Sequence, residues 1–402
     1  MTCKGAYAFA YPRFLSDVTL GDHDPSEDDG PRRLKQFCEH MLRNPELFKH
    51  LRALRLRGGS FACESNAGPR GGWDANYSAA DSLTDLLFKA VNLRVLQIRD
   101  AEPVFQSHPL VYEAIASLPY LKELSLYYIV APASQALGVR CMLESVVDRH
   151  IWLNVHTLDI GGRIAKISEL AHVFPNLRRL TFFLEFSIKP ETGPVVCWPE
   201  LDYLETSAPL PSFPSPARRL QLQYSIGSKT GSRNDLKTLP LLEKTNPVVL
   251  SCTISQAVTP EMVERMSVAV PSVRYSEVVI NDGSSGHTSL SYSDFDKWLD
   301  RHLGIIGKAK PEGLCIGYSG SGGHEEQFTA AASKTASRVP TLKYVAVGLH
   351  HEREGMYSFN SLWFTIESRE DPEAPVLKRV PAADCESLRE RLLNLPRATL
   401  SA

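Results

Sequence analysis

The sequence predicts an α/β repeat array, with parallel inner strands and outer helices stacked as one irregular solenoid. Three observations carry that expectation. A short apolar-x-x-apolar-x-apolar pattern recurs along the chain, clearest at Leu51-x-x-Leu54-x-Leu56 and Leu93-x-x-Leu96-x-Ile98. Between its copies, apolar residues fall at i, i+3, i+4 and i+7, one stripe of a helix. Composition suits a packed core: 43% of residues are hydrophobic and 22% charged, proportions of a globular chain rather than a disordered one. One strand–helix unit cannot bury its own apolar stripe, so neighbouring units must stack and share a core.

Taken in order, the first strand copy is Leu15-x-x-Val18-x-Leu20, preceded by a helical remnant over residues 1–13. Leu34, Phe37, Cys38, Met41 and Leu42 make the first helical stripe, and the strand at Leu51 follows. Residues 57–80, rich in Gly, Ala, Ser and Asn, read as a rim loop. Leu83, Leu86, Leu87 and Ala90 form the next stripe, with Asp81 placed to cap its first turn. Further strands read at Leu121-x-x-Leu124-x-Leu126, Val155-x-x-Leu158-x-Ile160, Leu177-x-x-Leu180-x-Phe182 and Leu201-x-x-Leu204-x-Thr206. Stripes at Val111–Leu118, Val139–Val147 and Ile167–Phe174 separate them. Pro209, Pro211, Pro214 and Pro216 make 206–216 a loop. Weaker strands begin at Tyr275, Pro311 and Leu342, alternating with helices over Phe295–Ile306 and Phe328–Val339, while 281–292 and 317–323 read as loops. The array spans 14–350, and 351–402 is a capping segment. In it, Ser361–Ile366 adds a last strand and Asp384–Leu393 a helix covering the open end.

Charge and cysteine usage narrow the function classes. Forty-four basic against 46 acidic side chains give a formal charge of −2, which argues against a nucleic-acid partner. No run reaches the roughly 18–20 apolar residues that cross a bilayer, and MTCKGAYAFAYPRFL lacks the apolar core of a secretory leader. The expectation is an intracellular protein, cytoplasmic or nuclear, with no membrane partner. Its eight cysteines lie far apart without a CxxC pair, and read as small buried hydrophobes rather than disulfides or zinc ligands.

Three local motifs fail the tests of chemistry. Gly317-Tyr318-Ser319-Gly320-Ser321 lacks the second glycine of a nucleophile elbow, and no Gly-Lys-Ser/Thr follows to cradle a phosphate. A hydrolase built on Ser319 with His324 or His350 therefore lacks its elbow. His350-His351-Glu352-Arg353-Glu354 is not HExxH. The acidic loop Asp22, Asp24, Glu27, Asp28 and Asp29 lacks calcium-loop spacing. No catalytic residue, metal site or cofactor is expected.

What remains is a contact band. Residues that flank the buried strand positions project from the inner sheet face. They are Arg55, Arg57, Gln97, Arg99, Tyr127, Asp159, Phe183 and Glu205. Aromatic residues beside arginine are typical of protein interfaces.

The LxxLxL strands and intervening helices resemble leucine-rich repeats over roughly residues 14–350. The N-terminal third more narrowly resembles fungal F-box/leucine-rich-repeat proteins. That likeness rests on Thr2-Cys3-Lys4, Pro12, the strand Phe14–Leu20, then Arg33–Cys38, Asn44-Pro45 and Leu51–Leu56. It implies a leucine-rich-repeat solenoid that holds a protein substrate, and an F-box that docks on a cullin–RING ubiquitin ligase adaptor. Residues 1–13 match only the end of an F-box, so the adaptor is expected only if the docking helices precede Met1. The other reading is a free protein-binding scaffold or decoy. Gly59, Ala101, Ile129 and Arg163 stand where regular repeats carry Asn or Cys.

Overall fold

The computed structural model describes residues 4–21, 30–64, 73–129, 150–162, 167–184, 197–210, 213–227, 232–282, 290–320, 323–353, 356–371 and 374–397. The fold is mixed α/β, with a fourteen-stranded, mostly parallel sheet whose strands follow chain order and which does not close. The chain divides into two compact units, Met1–Phe186 with Pro194–Trp198, and Ser187–Gly193 with Pro199–Ala402.

The first unit contains α1 (Lys4–Ser16), β1 (Asp17–Leu20), α2 (Gly30–Arg43), β2 (Ala53–Leu56), β3 (Ala62–Glu64) and β4 (Trp73–Ala75). It continues with α3 (Ala80–Lys89), β5 (Val95–Ile98), α4 (Ala101–Ser107), α5 (Pro109–Ala116), β6 (Glu123–Ile129), β7 (Thr157–Gly162), α6 (Ile167–Val173) and β8 (Arg179–Leu184). The period-two pattern does what alternation dictates. Leu54, Leu56, Leu96, Ile98, Leu124, Leu126, Leu158 and Ile160 all point into the core with no exposed surface. The helical stripes bury against them, with Leu34, Cys38, Met41, Leu83, Leu86 and Leu87 fully enclosed. Trp152 closes the layer: it stacks on Tyr112 at 5.8 Å and meets Phe174 edge-on at 4.8 Å. Fully burying an aromatic side chain contributes about 1.5–3 kcal/mol.

The second unit contains β9 (Leu201–Thr206), β10 (Ala217–Ile226), α7 (Ser232–Thr245), β11 (Val249–Ser255), α8 (Pro260–Ala269), β12 (Tyr275–Asn281) and α9 (Tyr292–Ile306). After these come β13 (Gly313–Ser319), α10 (Glu325–Arg338), β14 (Tyr344–Arg353), β15 (Met356–Ser368), β16 (Val376–Arg379) and α11 (Ala382–Leu393). Strands β9 to β14 run parallel, and β15 and β16 complete the edge antiparallel.

Several expectations are corrected. The loop assigned to 57–80 contains a short 3-10 turn at Gly58–Ser60 and the β3–β4 hairpin. Asp81 lies in the first turn of α3 rather than at its cap, because the helix already begins at Ala80. Residues 217–269, between the strong and weak copies, carry β10, α7, β11 and α8, which the repeat pattern did not reveal. The terminal strand is thirteen residues rather than six, and β16 pairs with it. Helix α11, expected over the open end, lies instead on the face of the sheet. The stripe at Val139–Val147 lies outside the described residues.

A polar ladder organises the rim where helices return to strands. Asn154 donates its amide to the Pro119 carbonyl at 2.7 Å, and Asn176 to that of Leu153 at 2.9 Å. In the second unit, the Thr341 hydroxyl reaches the Pro311 carbonyl at 2.7 Å in the same way. Each bond joins one strand entry to the preceding one, satisfying a carbonyl that the sheet ladder leaves open.

Candidate functional site

Parallel registration brings the first unit's inner-face residues into lateral rows. Thr19, Arg55, Gln97, Ser125, Asp159 and Thr181 occupy one row across β1, β2, β5, β6, β7 and β8. Some of its members are already tied: Arg55 pairs with Asp17 at the start of β1, and within the row the Ser125 hydroxyl donates to Asp159 at 2.8 Å.

Two residues further along the strands, Arg57 and Arg99 are exposed, and Tyr127 and Phe183 follow on the same face. The two rings lie 6.0 Å apart and tilted by 40°, although a whole strand separates β6 from β8. Gly161 makes this possible. It pairs laterally with Phe183, and a Cβ there would stand 2.8 Å from Cδ1 of Tyr127. A register shift between Leu126 and Ile129 accompanies the arrangement. Phe183 keeps 40% of its surface exposed, an aromatic face turned to solvent.

Glu205, the eighth member of the expected band, belongs to the second unit. Its carboxylate accepts from the Tyr203 hydroxyl at 2.6 Å, from the Gln221 amide at 3.3 Å and from Gln223. Arg219 stacks over the Tyr203 ring at 5.0 Å. This cluster spends its polarity on itself.

Part of the second unit's inner face is covered by a helix. Helix α11 lays Leu388, Leu392 and Leu393 on Tyr275, Cys315, Ala346 and Trp363. Gly313 makes room for the Tyr275 ring, since a Cβ there would stand 3.0 Å from its Cδ2, while both Cδ atoms of Leu392 would stay at an ordinary 3.5 Å. Beside the leucines, Arg389 donates through Nε to Oε1 of Glu277 at 2.7 Å and through Nη2 to Oε2 at 3.3 Å. The Glu277 side chain is 3% exposed and also accepts from Ser251 and Tyr275, each at 3.0 Å. Burial, with the neighbouring Glu277 charge adding to it, holds the Tyr275 hydroxyl and the Cys315 thiol well above their ordinary pKa values. Both stay neutral at physiological pH.

The tail beyond the helix is tied both by its backbone carbonyls and by the Arg397 side chain. Arg218 donates to the Leu393 and Leu395 carbonyls at 2.9 and 3.2 Å. Arg397 reaches Glu200 and the Asn246 carbonyl, both at 2.8 Å. Sequence reasoning missed this site. Its one local signal was Glu277, a carboxylate set between the apolar positions of a strand.

The motifs set aside on chemical grounds have structural duties. His324 caps α10 reciprocally with Gln327, whose side chain accepts the His324 amide at 3.0 Å. Gly323 adopts a left-handed φ of +118°, and a Cβ there would press on the Phe328 ring and the Tyr318 hydroxyl. Ser319 is the lateral neighbour of His350 on the adjoining strand. The acidic loop over residues 22–29 and the side chains of 351–359 lie outside the described residues. Among those described, no three metal-ligating side chains gather, and no helix is long and apolar enough to cross a membrane.

No family model matches the chain, and no curated protein matches it.

Proposed function

We propose that the chain is an irregular, leucine-rich-repeat-like solenoid that recognises a protein partner without catalysis of its own, through the first unit's inner strand face. The observation carrying this reading is the Tyr127–Phe183 ring pair closed over Gly161, on the same strand face as exposed Arg57 and Arg99. Rigid aromatic surface next to guanidinium groups is the composition of interface hot spots. The face is also preorganised, since its rows are set by strand register rather than by loops. A paired charge reversal, Arg55→Glu with Arg99→Glu, tests it by partner capture followed by mass spectrometry. Specific partners retained by the wild type should be lost by the folded double variant. Unchanged capture removes this face from consideration.

The resemblance to fungal F-box proteins supports a finer proposal: this is the substrate-binding part of a cullin–RING ligase receptor. Recovery of the ligase adaptor with the endogenous protein, from a product carrying an F-box before Met1, tests it. Stable partners without adaptor favour the free scaffold.

A further inference from the structure

The second unit's inner face carries an inference independent of the first unit's surface. Its strands present a trough of small residues, Gly313, Cys315 and Ala346, flanked by the large rings of Tyr275 and Trp363. At its centre stands the Glu277 carboxylate, which must be matched by a cation when covered. Arg389 matches it with a two-pronged guanidinium grip, a geometry lysine cannot reproduce. Trough and carboxylate together read as a receptor for an amphipathic helix bearing one arginine between leucines.

The segment now seated there has the properties of a ligand. Helix α11 is only twelve residues long, with no side-chain hydrogen bond at its N-cap. Isolated helices of that length are marginal in water, so packing alone keeps it folded. Most of its residues face solvent, and its apolar contribution is the pattern Leu388-Arg389-x-x-Leu392-Leu393. Arg218 and Arg274 add hydrogen bonds to the Leu393, Leu395 and Pro396 carbonyls, which any peptide backbone supplies, while Arg391 and Arg397 reach the Tyr344 hydroxyl, Glu200 and the Asn246 carbonyl through their own side chains.

We propose that this face is a docking groove for a partner's Leu-Arg-x-x-Leu-Leu amphipathic helix, and that residues 382–397 occupy it as a tethered competitor. Opening the tail exposes the groove; a partner helix with the same chemistry then takes its place. The charge complementarity is specific. A helix with glutamate at the arginine position is excluded by Glu277.

The experiment uses the full chain and a synthetic peptide of residues 380–397 as the probe. Hydrogen exchange of the wild type, followed by mass spectrometry, should find amides of 382–397 exchanging at least tenfold faster than those of β12–β14. Millimolar peptide should deprotect 382–397 further while leaving β12–β14 unchanged, and an Arg389→Glu peptide should do nothing. In parallel, labelled wild-type peptide should bind a Leu392→Ala, Leu393→Ala chain at least tenfold more tightly than the wild-type chain. Should that variant fail to fold, the wild-type exchange experiment decides alone. Protection of 382–397 equal to that of β12–β14, or no response to peptide, makes α11 a fixed part of the core and overturns the proposal.

Discussion

Arg389 and Glu277 stand 112 residues apart in sequence, yet their side chains meet through two hydrogen bonds on the inner face of the second unit. The pair is asymmetric. Glu277 is 3% exposed and Arg389 21%, so the acid is fixed in the sheet and the base arrives with the helix.

Removing the base is therefore costly. Arg389→Ala leaves a buried carboxylate without a cation and should destabilise the protein by about 3–5 kcal/mol. Arg379→Ala, which breaks an exposed pair with Glu325, should cost at most about 1 kcal/mol. Replacing both buried partners, Arg389→Met with Glu277→Leu, should recover most of the loss. Urea denaturation of the four proteins checks the ranking.

Two glycines should respond in opposite directions to alanine. At Gly304, in α9, an added Cβ meets nothing within 4 Å, so Gly304→Ala should stabilise by up to about 1 kcal/mol through helix propensity. At Gly348 a Cβ would stand 2.2 Å from the Asn360 carbonyl oxygen and 2.5 Å from the Ser361 Cα, both backbone atoms. Gly348→Ala should force β14 and β15 apart and cost about 1–3 kcal/mol. Thermal melts distinguish the two signs.

Acid should act through His302. Its ring is fully buried, stacked on Trp298 at 4.5 Å, with Nδ1 bonded to the Trp298 carbonyl at 2.9 Å. Burial lowers its pKa below the ordinary 6.5. The unfolded chain thus takes up the proton first. The contribution is complete above pH 6.5 and is lost as pH falls toward the lowered folded value, by at most about 1.4 kcal/mol per pH unit. His302→Phe should flatten the dependence of unfolding free energy on pH between 7 and 5. A slope equal to the wild type's would assign the acid sensitivity elsewhere.

Thiol reactivity should follow burial. Cys38 and Cys252 are enclosed, and burial raises both thiols to about 12, while Cys197 is exposed. Of the cysteines described, native alkylation should mark Cys197 first. Cys38, Cys252 and Cys315 should label only on unfolding. Peptide mapping by mass spectrometry reads the order directly.

How much of this was legible follows from which faces are buried. Strands β2, β5, β6 and β7 alternate because one face meets the core and the other stays accessible, so Leu54 and Leu56 or Leu158 and Ile160 could be read directly. Strands β11 to β13 are buried on both faces, and sequences such as Val278-Val279-Ile280 lose the alternation. Strand β10 was hidden differently: its register makes Ala217-x-x-Leu220-x-Leu222 the repeat copy, with a small alanine in place of the opening large apolar residue. The polar ladder was sought just after the strands, at Gly59, Ala101, Ile129 and Arg163. The structure places one just before them, at Asn154, Asn176 and Thr341. Within the contact band, register could be inferred, but the meeting of Tyr127 with Phe183 over Gly161 could not. It depends on a strand bulge that no single pattern announces. The seat of α11 was beyond reach, since nothing local links Arg389 to a carboxylate so distant.

That distance has a temporal side. A ribosome adds about 5–20 residues per second, so on the order of ten seconds separate the synthesis of Glu277 from that of the arginine that neutralises it. During that interval the strands around Tyr275 can pair and their outer helices can dock, but the leucine seat stays wet and its carboxylate hydrated. The nascent protein therefore passes through a stage with an open, acidic apolar trough, the surface a chaperone would have to shield until the tail emerges.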